Sequence, residues 1–242
     1  MNAFHVACVG YTGPRRRYWA SLDTQELTER DLAARSGTLV RWRARAPATA
    51  RFVPRVDPGL VAAGFRGPAA EQAWATTLAA AETLAADIVL LRTPATFRPT
   101  RENRAALAEF FAAARPAGLA VAWWAEGIWE GQPDDRDAVC AAGGLIAVAD
   151  PLADEEDDLP AGDRVYWRVR GGVGMGGRLS DHHLDRLLEL AGARRGGDVV
   201  FVAPTMMNEA RRFGQLLGLA SDAGDHEDEG DDEDDGEDDG DA

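Results

Sequence analysis

Lysine is absent from these 242 residues, and all 26 basic side chains are arginine. An all-arginine chain suits a GC-rich genome, and with an acidic tail it hints at a salt-loving source. A halophile spreads acids over its whole surface, however, and the body of this chain does not. Cysteine is scarce as well. Cys8 and Cys140 are the two in the chain, set among small or apolar neighbours and outside any C-x-x-C spacing. That excludes a disulfide framework and a paired-thiol redox or zinc motif, and makes a reducing cytoplasm the expected setting. No run of 18 apolar residues occurs, so no transmembrane helix is expected. The opening "MNAFHVACVGYTG" has no basic segment ahead of an apolar one, so it reads as a first strand rather than a signal peptide. Histidine is limited to His5, His182, His183 and His226. The adjacent pair would diverge by about 100° on a helix, and no acid–histidine constellation has ligand spacing, so neither a metal nor a cofactor is expected. No nucleophile elbow is present to anchor a Ser-His-Asp triad.

What is present is unevenly placed. Of 41 acidic residues, 14 lie in 221–242, which leaves 27 acids against 26 arginines elsewhere. The formal charge of −15 therefore belongs to the tail, and the body is close to neutral. The tail is of low complexity and has almost nothing apolar to bury, so it is expected to be disordered. It reads as a solubilising appendage, or as a segment that docks a basic protein partner or competes with nucleic acid for one.

Residues 1–220 alternate short apolar runs with helical patterns. Strands are expected at 4–10, 50–56, 88–94, 118–125, 145–150, 163–171 and 198–204. Helices are expected at 72–87, 100–115, 134–143, 180–193 and 205–218, with Thr100 and Ser180 as caps. The stretch 20–50 resists assignment, and 150–163 reads as a long acidic surface loop. Alternating strands and helices argue for βα units and a parallel sheet. About seven to eight strands without a dividing linker favour a single closed α/β barrel of the TIM type.

The stretch "VRGGVGMGGRLSD" contains G-x-G-x-x-G at Gly172, Gly174 and Gly177. A dinucleotide fingerprint needs a helix to start directly after the glycines and an acid about 20 residues on. Here Arg178, Leu179 and Ser180 intervene, and the unit comes late in the chain. A mobile loop on the C-terminal face of a barrel strand fits better.

Several stretches together resemble the YecE-like family of unknown function, domain of unknown function 72. These are "VACVGYTG", "VRWRARAP", "IVLLRTPATFRPTRENRAALAEFF", "WWAEGIW", "VYWRVRGGVGMGGRLSDHHLDRL" and "VVFVAPTMMNEARRF", in order over residues 4–218. The resemblance implies a TIM-barrel-like fold and, since the family's own function is not established, no activity. It also marks departures. Arg92, Thr93 and Pro94 stand where the family has glutamine before paired prolines. Trp124 and Glu126 replace a carboxylate and an arginine, Arg170 replaces a histidine, and Ala203, Pro204 and Thr205 replace asparagines. The family's acid and aromatic segment, near 25–32, is hard to recognise. Arg41, Arg43 and Arg168 are retained, with Arg55 in place of a lysine.

Barrel strands deliver their C-terminal residues to one mouth, so Arg92, Trp124, Arg168 and Arg170 are expected there with Arg43 or Arg55. Such guanidiniums suit a small anionic or phosphorylated ligand; the alternative is that they pair with local acids. Glu126 is the one carboxylate expected in the mouth and the weak catalytic candidate, with no second group to complete an acid–base pair. Trp123, Trp124 and Trp129 offer stacking surfaces, or core. Arginines among aromatics in "RRRYW" and "RWRARAP" permit nucleic-acid contact, but the neutral body and acidic tail oppose it. Two functions stay in view: a ligand-binding barrel, enzyme or not, and a non-catalytic scaffold acting through its tail.

Overall fold

The computed structural model describes residues 3–9, 15–32, 37–171, 178–202 and 207–218. The glycine motif, the segment 203–205 and the acidic tail lie outside the described residues. Eight strands run in parallel: β1 (Ala3–Cys8), β2 (Thr24–Glu26), β3 (Arg51–Val53), β4 (Ile88–Thr93), β5 (Ala120–Ala125), β6 (Ile146–Ala149), β7 (Arg164–Val169) and β8 (Gly196–Phe201). Their order is β3-β2-β1-β8-β7-β6-β5-β4. One short bridge brings the two ends together. Leu90 N–H donates to the Pro54 carbonyl at 2.9 Å, and Val56 N–H donates to the Leu90 carbonyl at 2.9 Å. The sheet is thus a nearly closed barrel with helices between its strands, as the βα alternation predicts.

The helices are α1 (Arg15–Trp19), α2 (Glu29–Leu32), α3 (Gly37–Arg45), α4 (Gly59–Ala62), α5 (Gly67–Leu84), α6 (Arg101–Ala114), α7 (Pro133–Gly143), α8 (Asp181–Gly192) and α9 (Met207–Leu216). The two expected caps form: Thr100 accepts from Asn103 N–H, and Ser180 shares a reciprocal capping box with His183. Helix α5 begins five residues before the expected 72 because Gly67-Pro68 opens it, proline being pre-organised for the first turn.

The strand missing from the sequence reading is β2. Its three residues, Thr-Gln-Glu, are polar, and three residues show no period. Its neighbours hold it instead. The Tyr18 hydroxyl donates to the Thr24 carbonyl at 2.6 Å and accepts from Cys8 N–H at 3.0 Å, tying α1 to β1 and β2. Arg51 N–H donates to the Asp23 carbonyl, and Leu27 N–H to the Val53 carbonyl.

Apolar packing divides by face. Outside the barrel, Trp74, Phe111, Trp123 and Trp129 fill the space between β4, β5 and their helices. Phe4, Trp167, Leu187, Phe201 and Phe213 do so around β1, β7 and β8. Inside, Ala7, Val53, Leu90, Ala122, Val148 and Val200 form a dry middle layer. Alternate residues of the same strands carry polar groups to the two ends of the barrel.

At the N-terminal end, Arg51 donates to both oxygens of Asp87 at 2.8 and 2.9 Å and to buried Asp198 at 2.7 Å, with Arg164 at 3.6 Å from each acid. Burial pushes the Asp87 carboxyl up, but the charge and hydrogen bonds of Arg51, aided by Arg164, outweigh it and leave it below the ordinary carboxylate value. Asp23 is likewise held down against burial, by its bond to His5. Among the described residues no helix is long and apolar enough to cross a membrane.

Candidate functional site

The C-terminal ends of the strands build a mouth centred on Trp124, which β5 points inward and leaves partly exposed. Three guanidiniums surround its ring. Arg168 stacks at 3.9 Å from the centroid, Arg92 lies at 5.0 Å and Arg55 at 5.4 Å. Stacking suits arginine because the guanidinium plane is weakly hydrated and attracted by the ring's face.

Beneath them sits Glu26, the last residue of β2, with its side chain fully buried. Its carboxylate is saturated. Oε1 accepts from Arg55 Nη2 at 2.9 Å and Arg168 Nη2 at 3.0 Å; Oε2 accepts from the Tyr166 hydroxyl at 2.7 Å and Arg168 Nε at 3.1 Å. Two guanidiniums on one carboxylate leave a net positive charge at the floor of the mouth. Desolvation, with the charges of Glu26 and Asp198, raises the Tyr166 phenol well above its ordinary value, so it stays a neutral donor.

The rim holds two further pairs. Arg92 grips Glu126 through Nε and Nη2 at 2.8 and 3.1 Å. Gly127, at φ 76°, makes the turn that follows Glu126, and a Cβ there would lie 2.7 Å from that of Ala95. Arg170 donates from Nε to Asp150 at 3.1 Å, and its backbone N–H donates to the same oxygen. These two arginine side chains are 40% and 53% exposed, against 8% for Arg55 and 6% for Arg168. Asp154, which accepts from Asp150 N–H, has its carboxyl raised by burial and further by the charge of Asp150. A cleft of about 440 Å³ opens beside Arg92, walled by Pro58, Val61, Pro94 and Phe97. Its size is that of a small-molecule site.

Of the residues expected in the mouth, Arg92, Trp124, Arg168, Arg170 and Glu126 are there. Arg43 is not. It lies near the end of α3, where it donates to the carbonyls of Pro47 and Ala50 in the loop entering β3, at the opposite end of that strand. The helical course of 37–45 directs it there, so the mouth guanidinium from this part of the chain is Arg55. Glu126 is a rim ion-pair partner and not the mouth's only acid, because Glu26 and Asp150 also reach it. Trp123 and Trp129 are buried core, donating to the Thr93 hydroxyl and the Phe97 carbonyl. Sequence reasoning passed over Glu26 because a three-residue strand leaves no pattern. The one pointer was the expectation of an acid near 25–32. Among the described residues no group of three or more His, Cys, Asp or Glu is placed to hold a metal ion.

No family model matches this sequence, and no curated protein matches it. Solved structures do match its fold. A DUF72 family protein from Enterococcus faecalis superposes with a TM-score of 0.65 at 15% identity, covering 91% of this chain and 99% of that one. A DUF72 family protein from Thermotoga maritima gives 0.64 at 15% identity, covering 88% and 100%. A IolI protein whose crystal structure holds a zinc atom gives 0.53 at 12% identity, covering 88% and 96%. The chain thus has the TIM-barrel-like fold that DUF72 proteins share, over nearly its whole described length and nearly the whole length of those proteins.

Proposed function

We propose that this chain is a diverged, cytoplasmic member of the DUF72 family that binds a small anionic ligand at the C-terminal mouth of its barrel. The observation that carries the reading is the convergence of four guanidiniums on one mouth, two fixed and two solvent-facing. Arg55 and Arg168 are locked by Glu26, so they supply field rather than reach. Arg92 and Arg170 also engage carboxylates, Glu126 and the buried Asp150, but their own side chains face solvent, where ion pairs are weaker. A phosphate or carboxylate group can take over part of their donor set without unfolding anything, and the apolar wall of the adjoining cleft suits the remainder of the ligand. The reading is one of binding: Glu26 has no lone pair left to accept a substrate proton, and no acid–base pair is assigned.

A thermal-shift screen against phosphorylated metabolites and sugar acids tests it. A ligand at 100 times its Kd adds about 2.7 kcal/mol, which is roughly 5–10 °C for a domain of this size. Arg92→Ala and Arg170→Ala should each shrink that shift, and Arg43→Ala, at the other end of β3, should leave it. Silence from every anionic compound, or equal loss in all three variants, would sink the proposal.

A further inference from the structure

The arginines named in the mouth each bond a carboxylate, whereas on α1 the acid Asp31 acts on Arg15 without an ion pair. Among the described residues Arg15, Arg16, Arg17, Arg41, Arg43 and Arg45 form no ion pair. Arg43 is spent on the two carbonyls already named, and Arg15 bonds the amide oxygen of Gln25 at 3.4 Å. The others are exposed, with Arg41 donating to the Thr38 hydroxyl at 3.4 Å. The Arg15 guanidinium carbon also lies 3.8 Å from the ring centroid of Trp42. Together Arg15, Arg16 and Trp19 of α1 with Trp42 and Arg45 of α3 line a cleft of about 790 Å³ on the outer wall of the barrel. This is a concentrated cationic surface on a body whose charge otherwise balances. The acids that would neutralise it are in the same chain: 14 of them within 22 residues, with no arginine among them.

We propose that the acidic segment 221–242 docks on the arginine–tryptophan cleft between α1 and α3 of its own chain. Three observations carry this. The charges are complementary: among the described residues the cleft's arginines form no ion pair, although the charge of Asp31 acts on Arg15 at longer range. The attachment point is close, since α9, which precedes the segment, packs on β1, and α1 hangs from β1 and β2 through Tyr18. The reach is ample: 22 residues extend to about 70 Å, whereas a body of this size has a radius of gyration of about 17 Å. Tethering gives the segment an effective concentration on the order of millimolar, so even weak contacts hold it. The basic partner expected for the tail is then the protein's own surface. Polyanions from outside must compete with the tail for that surface.

The test uses the full chain. Both native thiols are buried and pushed up to about 12, mainly by desolvation, so a single Gly230→Cys can be labelled selectively with a nitroxide. Paramagnetic broadening of the tryptophan indole N–H signals then reports where the tail rests, with Trp→Phe variants giving the assignments. At low salt the Trp19 and Trp42 signals should lose most of their intensity while Trp124, in the mouth, keeps its own. Signal should return at about 0.5 M salt, where the Debye length is about 4 Å. It should also return in Arg16→Gln/Arg45→Gln. A second variant with the tail aspartates changed to asparagine leaves the body untouched and should abolish the broadening too. The proposal is overturned by an absence of broadening at low salt, by broadening that survives both variants, or by broadening centred on Trp124. It is equally overturned if the broadening arises only between molecules, as read from mixtures of spin-labelled and isotope-labelled protein.

Discussion

The arginines inside the barrel and those on its α1–α3 face are chemically the same but live under different rules. Arg55 and Arg168 are more than nine-tenths buried and share the carboxylate of Glu26. Arg16 and Arg45 are exposed and have no acidic partner among the described residues. A buried guanidinium without a counter-charge would carry a desolvation cost of several kcal/mol, so the interior pairs are obligatory. An exposed one is hydrated and can stay unpaired. The first region fixes the shape of the mouth; the second keeps its charge in solvent.

The largest expected effect breaks the interior side of that contrast. Glu26→Gln removes the one acid among the described residues that bonds Arg55 and Arg168, and should lower stability by about 3–5 kcal/mol in urea unfolding. A loss below about 1 kcal/mol would mean the interior cluster is no more demanding than the surface.

The opposite end of the barrel sharpens the point through pH. Asp87 and Asp23 titrate below the ordinary carboxylate value in the folded state, so their contribution is fully present above the unfolded value of about 3.9 and is lost as pH falls through the lower folded values. Asp87→Asn should flatten the fall in urea midpoint between about pH 5 and pH 2. An unchanged acid slope would show that the Arg51–Asp87 pair is not coupled to folding.

Rim pairs fall in between. Glu126→Gln removes the carboxylate that Arg92, 40% exposed, grips on the rim, and should cost no more than about 1 kcal/mol. It should also raise the affinity of the mouth for an anion, seen as a larger ligand-induced shift in melting temperature. At the small end, Arg16→Gln/Arg45→Gln should change the stability of the body by no more than about 0.5 kcal/mol. Its larger effect should be on the broadening of the Trp19 and Trp42 signals.

Legibility in the sequence followed the same division. Strands built around short apolar runs, such as Ile88–Thr93 and Arg164–Val169, and helices with side-chain caps, such as Arg101–Ala114, were expected within a few residues of where they lie. Mouth residues on or just after β4, β5 and β7, namely Arg92, Trp124, Arg168 and Arg170, were legible because strand ends in a parallel barrel converge. Glu26 and Arg43 were not. Their segments have short or irregular elements, and whether residues 37–45 turn as a helix decides which end of the barrel an arginine reaches.

The sequence by itself determined the alternation of strands and helices, the segregation of charge into the last 22 residues and the absence of lysine. Local periodicity and composition are enough for those. Only the tertiary structure decided that Glu26 is the hub of the mouth, that Arg55 rather than Arg43 joins it, and that the α1 and α3 arginines share one cleft. Those facts depend on contacts between residues as far apart as Glu26 and Arg168, 142 positions along the chain. Closure of the barrel creates such contacts, and no local pattern encodes them.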